Sequence, residues 1–156
     1  MRRSVALVLA LLLAACGSTP PPRLPPAPRP PLDDAGAAVS SRLIQALLAQ
    51  GFRVTSDPSG TLIRGERAEA PADWFDCPSV VVNDPDPKRS RRAFVRPDGA
   101  STLVEAQVGP VGARERVDLD VTMTGLYRNH FDRVPFRRPC ASTGVIEAQL
   151  RAAAAG

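Results

Sequence analysis

Arg116-Val117-Asp118-Leu119-Asp120-Val121-Thr122-Met123 is the stretch on which the fold turns. Successive side chains of an extended chain point to opposite faces. Val117, Leu119, Val121 and Met123 therefore fall on one face, and Arg116, Asp118, Asp120 and Thr122 on the other. Alternation this regular demands a sheet with one face buried and one face wet, and the apolar face must be covered by other elements. Asp118 and Asp120 share the wet face. Paired carboxylates can divide acid and base work, but the alternation alone accounts for both as solvent-side residues, so no catalytic role is assigned to them.

Toward the N-terminus, residues 91–96 and 101–108 read as a hairpin around Pro97-Asp98-Gly99-Ala100. Val80-Val81-Val82 reads as a short strand, and Asp84-Pro85-Asp86-Pro87-Lys88-Arg89-Ser90 as a loop, because prolines two apart suit neither a helix nor a central strand. Residues 68–79 read as a long connection carrying Trp74, Phe75 and Cys77. Residues 52–56 and 61–67 read as paired strands about the turn Asp57-Pro58-Ser59-Gly60. Before them Val39, Leu43, Ala46, Leu47 and Gln50 recur at helical spacing, with Ile44 and Leu48 widening the apolar face. Asp33, Asp34 and Ser40 are candidate caps and Gly51 a natural stop.

Toward the C-terminus, residues 125–139 are less regular, with Leu126, Tyr127, Phe131, Val134 and Phe136 available to the core. A last helix is expected from Ser142 or Thr143, with Glu147 in its first turn, where the helix dipole favours a carboxylate. Ile146, Leu150 and Ala153 give it a narrow apolar face. The expectation is a single α+β domain over residues 33–156. It comprises an antiparallel sheet of about five or six strands, with an N-terminal and a C-terminal helix packed on one face.

The chain opens differently. Met1-Arg2-Arg3 is cationic, and residues 5–15 carry no charge and almost no polarity. As a helix that run spans about 17 Å, too short for a hydrocarbon core of about 30 Å. It suits the apolar region of a secretory signal over residues 1–15. Leu13-Ala14-Ala15-Cys16 closes it, a branched apolar residue, two small residues and a cysteine. That stretch resembles the lipobox of bacterial lipoproteins. The resemblance implies cleavage before Cys16, acylation of its sulfur and new amino group, and a membrane partner held through acyl chains. Several acyl chains on one residue make a durable anchor where a single one would be marginal. Gly17 stands where Asp would signal inner-membrane retention in Gram-negative lipoproteins, so the resemblance implies the outer membrane, with the periplasmic face as the expected side. Ser4-Val5-Ala6 does not continue a twin-arginine pattern.

Residues 16–32 follow as a linker, with eight of the seventeen prolines. Such a segment favours extended polyproline geometry and would reach about 50 Å as a semi-rigid stalk. Of the twenty cations nineteen are arginine and one is Lys88. Loss of Arg2 and Arg3 with the leader lowers the formal net charge from +4 to +2, so a dedicated nucleic-acid partner is not expected.

With Cys16 acylated, Cys77 and Cys140 remain, and an even pair outside the cytoplasm reads as one disulfide; two free buried thiols are the alternative. Two cysteines and His130, the only histidine, do not make a metal ligand set. No cofactor is expected, and no Gly-x-Ser-x-Gly elbow accompanies His130. Lys88, Arg89, Arg91 and Arg92 form the densest basic run and Arg137-Arg138 another. Arginine clusters grip phosphate and carboxylate, so the first run is a possible anion site, although Asp84 and Asp86 partly neutralise it. Trp74 and Phe75, flanked by Asp73 and Asp76, fit either an interface hot spot or a plug over one end of a small core.

Pro139-Cys140-Ala141-Ser142-Thr143-Gly144-Val145-Ile146-Glu147 reads as a chain stop, a disulfide and a helix start. It resembles the end of small proteobacterial outer-membrane lipoproteins of unassigned activity. The functional expectation is a non-enzymatic, outer-membrane-anchored module that engages an envelope protein in assembly or maintenance. The alternatives are a binder of an anionic envelope ligand (lipopolysaccharide, phospholipid or peptidoglycan) and, remotely, a hydrolase.

Overall fold

The computed structural model describes residues 32–109 and 117–156. The leader, Cys16, nearly all of the proline-rich segment and residues 110–116, with Arg116 among them, lie outside the described residues.

Helix α1 (Asp34–Ala49) begins where Asp33 accepts a 2.7 Å hydrogen bond from the Gly36 amide, one of the donors a helix start leaves unpaired. It ends at Gln50, and Gly51 turns the chain with φ of +77°, a conformation suited to glycine. Ser40 is not a cap. It is buried in mid-helix and donates to the Gly60 carbonyl at 3.0 Å, tying α1 to the turn between β1 (Arg53–Ser56) and β2 (Leu62–Arg67).

A 3₁₀ turn, Ala72–Trp74, and the two-residue β3 (Phe75–Asp76) follow. The chain then forms β4 (Val80–Asn83), β5 (Arg92–Val95), β6 (Gly99–Val108), β7 (Val117–Arg128), β8 (Pro135–Ser142) and helix α2 (Val145–Ala155). Among the described residues six strands make one antiparallel sheet in the order β1-β2-β6-β7-β8-β3, and β4 and β5 pair only with each other as a separate ribbon.

Both helices lie on one face of the six-stranded sheet, as the α+β expectation required. Ile63 sits opposite Ala106, Val104 opposite Val121, and Thr102 opposite Met123, and these rows meet Val39, Leu43 and Leu47 of α1 and Ile146 and Leu150 of α2. Leu43, Leu47, Ile63, Val104, Ile146 and Leu150 have no exposed surface, each contributing about 1.5–3 kcal/mol by burial. Gly65 makes room for this packing: a Cβ there would stand 3.2 Å from Leu47 Cδ2 and from Phe52 Cδ1. The wet face carries the other register set, with Glu105 opposite Asp120 and Gln107 opposite Asp118.

Two strand readings and one helix start are corrected. Residues 91–96 do not pair with 101–108. β5 pairs with β4, and Gly99 and Ala100, read as turn residues, are the first residues of β6. The loop between β4 and β5 closes that hairpin itself: Asp84 Oδ1 accepts from the Asp86 amide and Asp86 Oδ1 from the Lys88 amide, each at 3.0 Å, and the Asp84 amide donates to the Arg91 carbonyl at 2.9 Å. Residues 125–139 are largely regular, since β7 runs on to Arg128 and β8 begins at Pro135. The last helix starts at Val145 rather than Ser142 or Thr143, because Ser142 closes β8 against Phe75.

Candidate functional site

The two ends of the sheet differ in chemistry. At one end Val108 N donates to the Thr61 carbonyl at 2.8 Å, Ser40 reaches Gly60, and Leu32 Cδ1 lies against Gly60. The first described residue, the start of α1 and the β1–β2 turn therefore cluster there. Helix α2 runs back toward this end: Gln149 meets Gln50, and Ala154 accepts from Arg42 Nη2 at 2.7 Å. At the opposite end, roughly 40 Å away along the twelve residues of β7, lie the β7–β8 loop and the β4–β5 ribbon. Asp98 N donates to the Leu126 carbonyl at 2.7 Å, and the Tyr127 hydroxyl donates to the Pro78 carbonyl at 2.8 Å, which fixes both roots of the ribbon to β7. Tyr127 is buried, and burial raises its hydroxyl pKa.

The ribbon has two faces. Val80, Val82, Ala93 and Val95 are half-buried, whereas Val81, Asn83, Arg92 and Phe94 are exposed. Val81 stands directly opposite Phe94, 50% and 80% exposed respectively. Arg92 and Arg96 flank Phe94 at two-residue spacing, so the outward stripe reads arginine, phenylalanine, arginine. In the adjoining β7–β8 loop Val134 is also exposed, and Arg133 takes a left-handed φ of 64°.

Charge concentrates at the same end. Residues 80–98 and 128–138 hold nine of the chain's twenty cations and four of its sixteen carboxylates. Asp84, largely buried, accepts from both Nε and Nη2 of Arg91 at 3.1 Å, and the Arg91 guanidinium also lies 5.7 Å over the Phe131 ring. Arg89 pairs with Asp86 at 3.2 Å and Arg128 with Asp98 at 3.6 Å. Lys88, Arg92, Arg96, Arg133, Arg137 and Arg138 make no ion pair among the described residues. The basic run read from the sequence thus divides: Arg89 and Arg91 are partly neutralised, while Lys88 and Arg92 stand open.

Cys77 and Cys140 form the disulfide, with Cα atoms 4.5 Å apart. It fastens the chain after β3 to β8, and Gly125 of β7 lies beneath it. Trp74 is buried, stacks on Phe52 at 5.8 Å between ring centroids and carries the Arg67 guanidinium 5.2 Å over its ring. Of the two readings for Trp74 it is therefore the plug, and it presents no surface to a partner. Phe75 is half-buried against the same core.

The remaining residues singled out in the sequence do not converge. Asp118 and Asp120 are exposed on the wet face, more than half the sheet's length from His130, which is exposed and edge-on to Phe131 at 5.4 Å. The start of α2 has no side-chain cap; Thr143 instead donates to the Asp73 carbonyl at 2.6 Å, docking the helix on the 3₁₀ turn. A shallow trough of about 330 Å³ crosses the wet face between Arg64 and Arg137, over Leu103, Thr122 and Leu126. A second depression, of about 450 Å³, lies between α1 and the β1–β2 turn and is lined by Ile44 and Asp57. Asp57 spends its charge within that turn. The Leu62 amide and the Ser59 and Thr61 hydroxyls donate to it and lower its pKa to about 2.

Sequence reasoning missed Val81 and Phe94 as surface features. Phe94 sits in a stretch whose alternate positions are arginine, the signal of an apolar residue on a charged face. Comparison with protein-family models, curated proteins and solved structures gave no match.

Proposed function

We propose that this chain is an outer-membrane lipoprotein, acylated at Cys16 and facing the periplasm, that works as a non-enzymatic interaction module in envelope assembly or maintenance, with the ribbon end as its contact surface. The observation that carries this reading is the polarity of the domain. The polypeptide leaves the proline-rich segment at Leu32 at one end, and the open arginines and exposed apolar side chains stand at the other. A tethered domain of that design presents its ribbon away from the membrane that holds it.

Two measurements test it. Labelling with a palmitate analogue marks the wild-type chain and fails on Cys16→Ser. A photoreactive residue at position 94 captures an envelope component in intact cells, while one at exposed position 55 on the wet sheet face does not. Equal capture at the two positions, or none at either, removes the ribbon end as the contact surface.

A second reading rests on the open charges of Lys88 and Arg92: the same surface, including Arg89 and Arg91, binds an anionic envelope ligand. Charge reversal at Arg89, Arg91 and Arg92 with unchanged ligand binding would count against it.

A further inference from the structure

Three surface features stand out: the wet-face trough, the depression beside Asp57 and the ribbon end, and only the ribbon end sets open cations beside exposed apolar side chains among the described residues. The trough takes its charge from Arg64, Glu66, Arg67 and Arg137, but Arg64 is already committed to Glu66 at 3.1 Å and to Glu105 at 3.7 Å, and Arg67 donates to the Glu69 and Gln50 carbonyls. The depression holds one carboxylate, saturated by its own turn.

We infer that the outward face of the β4–β5 ribbon docks on an anionic phospholipid surface, with Phe94 and Val81 entering the boundary between headgroups and acyl chains and Arg92 and Arg96 holding lipid phosphates. This inference rests on the proposed function only for where the tether lies; the ribbon's chemistry stands on its own. Three observations select a membrane over a protein. First, the exposed large apolar residues at this end number three among the described residues: Val81, Phe94 and Val134. A protein interface centres on a cluster of large, mostly aromatic and arginine, anchors in desolvated pockets, and this end exposes one phenylalanine and two valines, whereas an interfacial anchor needs only a few apolar groups sunk beside attracted cations.

Second, Arg92 and Arg96, the cations that flank Phe94, make no ion pair among the described residues, and their guanidinium groups suit phosphate. The two ribbon-and-loop segments carry a net charge of +5 on thirty residues, against +4 for the whole chain. The rest of the molecule is therefore slightly acidic, and only this end is drawn to a negative surface. Third, the ribbon is rooted rigidly. The hydrogen bonds of Asp98 and Tyr127 and the stacked Arg91–Phe131 pair hold it to β7 and the loop that follows it, so the outward face is presented without ordering a loop on contact.

The geometry sets the consequence. The tethered end and the ribbon are opposite, so a chain held in one bilayer offers its ribbon to another surface rather than folding back on its own. Vesicle tethering tests this directly. Phosphatidylcholine donor vesicles carry the full chain through its acyl groups and, in a parallel preparation, through a C-terminal polyhistidine tag on a nickel-chelating lipid. Gly156 lies near Arg42 on the α1 side, away from the ribbon. Acceptor vesicles contain phosphatidylglycerol in phosphatidylcholine, or phosphatidylcholine alone.

Donors should capture the anionic acceptors and not the neutral ones, and capture should weaken as salt rises. Each of Arg92→Gln and Arg96→Gln should lower capture about fivefold. Phe94→Ser should lower it about tenfold with an unchanged melting temperature, since Phe94 is 80% exposed. Equal capture of neutral acceptors, indifference to Phe94→Ser, or no capture in the tagged preparation overturns the inference, and a protein captured at position 94 with no vesicle binding assigns the ribbon to a protein instead. Failure of the untagged chain to float with donors, with tagged donors still capturing acceptors, counts against acylation at Cys16 and leaves the ribbon's role supported.

Discussion

Removing the Cys77–Cys140 bridge should cost this domain about 4 kcal/mol. The bridge closes a loop with a sequence separation of 63 that encloses β4 to β7 and most of β8. On loop-closure entropy a cross-link of that length restrains the unfolded chain by about 4 kcal/mol at 25 °C, a large share of the 5–15 kcal/mol that typically holds a domain together. What the folded state adds is small. Both cysteines are half-buried, β8 remains paired with β7 without the bridge, and only the two-residue pairing of β3 depends on it locally. The perturbation is the Cys77→Ala/Cys140→Ala double variant, with wild type under reductant as a check that loss of the covalent link is responsible. For a domain of this size about 4 kcal/mol corresponds to a fall in Tm of about 15 °C, read by far-ultraviolet circular dichroism. A fall of under about 3 °C in both samples would refute the reasoning. The unfolded chain would then already hold its ends together, and the bridge would be a local clasp on β3.

Three further outcomes follow from single positions. Gly125→Ala should cost about 1–3 kcal/mol by overpacking, because its Cβ would stand 2.7 Å from Cys140 Sγ and 2.8 Å from Tyr127 Cε2; an unchanged denaturation midpoint would show that this packing yields. Asp57, with its folded pKa near 2 and thus below the unfolded value of about 3.9, contributes stability that is full above about pH 4 and lost as pH falls toward 2. Asp57→Asn should flatten that part of the stability–pH profile, and an identical profile would show that the turn does not depend on the charge. Arg133→Gly should raise stability by about 0.5–1 kcal/mol by relieving a left-handed backbone at φ 64°, and a lower Tm would mean that the arginine side chain contributes more than the backbone strain costs.

The fold class was legible because one strand alternates without exception from Val117 to Met123 and α1 repeats Val39, Leu43 and Leu47 at helical spacing. The second half of β7 was not, because Gly125 and the prolines of β8 look like breakers. Gly125 is required where the disulfide passes over the sheet. Pro135 and Pro139 are tolerated because β3 pairs only with Ala141 and Ser142, which leaves most of β8 as an edge. Strand partners were illegible for a different reason. Nothing in the alternation of residues 91–96 distinguishes β4 from β6 as a neighbour, and the choice is made by the Asp84 and Asp86 turns. At the candidate site the basic run was visible as composition, and its split into committed and open charges needed the positions of Asp84 and Asp86. The Val81–Phe94 pair is a product of register, which a strand's own sequence does not contain.

The ribbon also bears on how copies of the chain behave when crowded. Among the described residues β4 and β5 pair with no other strand, so each has a margin with no strand partner, the kind of edge on which a neighbouring molecule extends a sheet. The guanidinium groups alternating with Phe94 set like charge against like charge whenever two ribbons approach side by side. Self-assembly is thereby checked by repulsion rather than by shape, and concentrated salt, which shortens the reach of that repulsion, is the condition under which the molecules should begin to zip together.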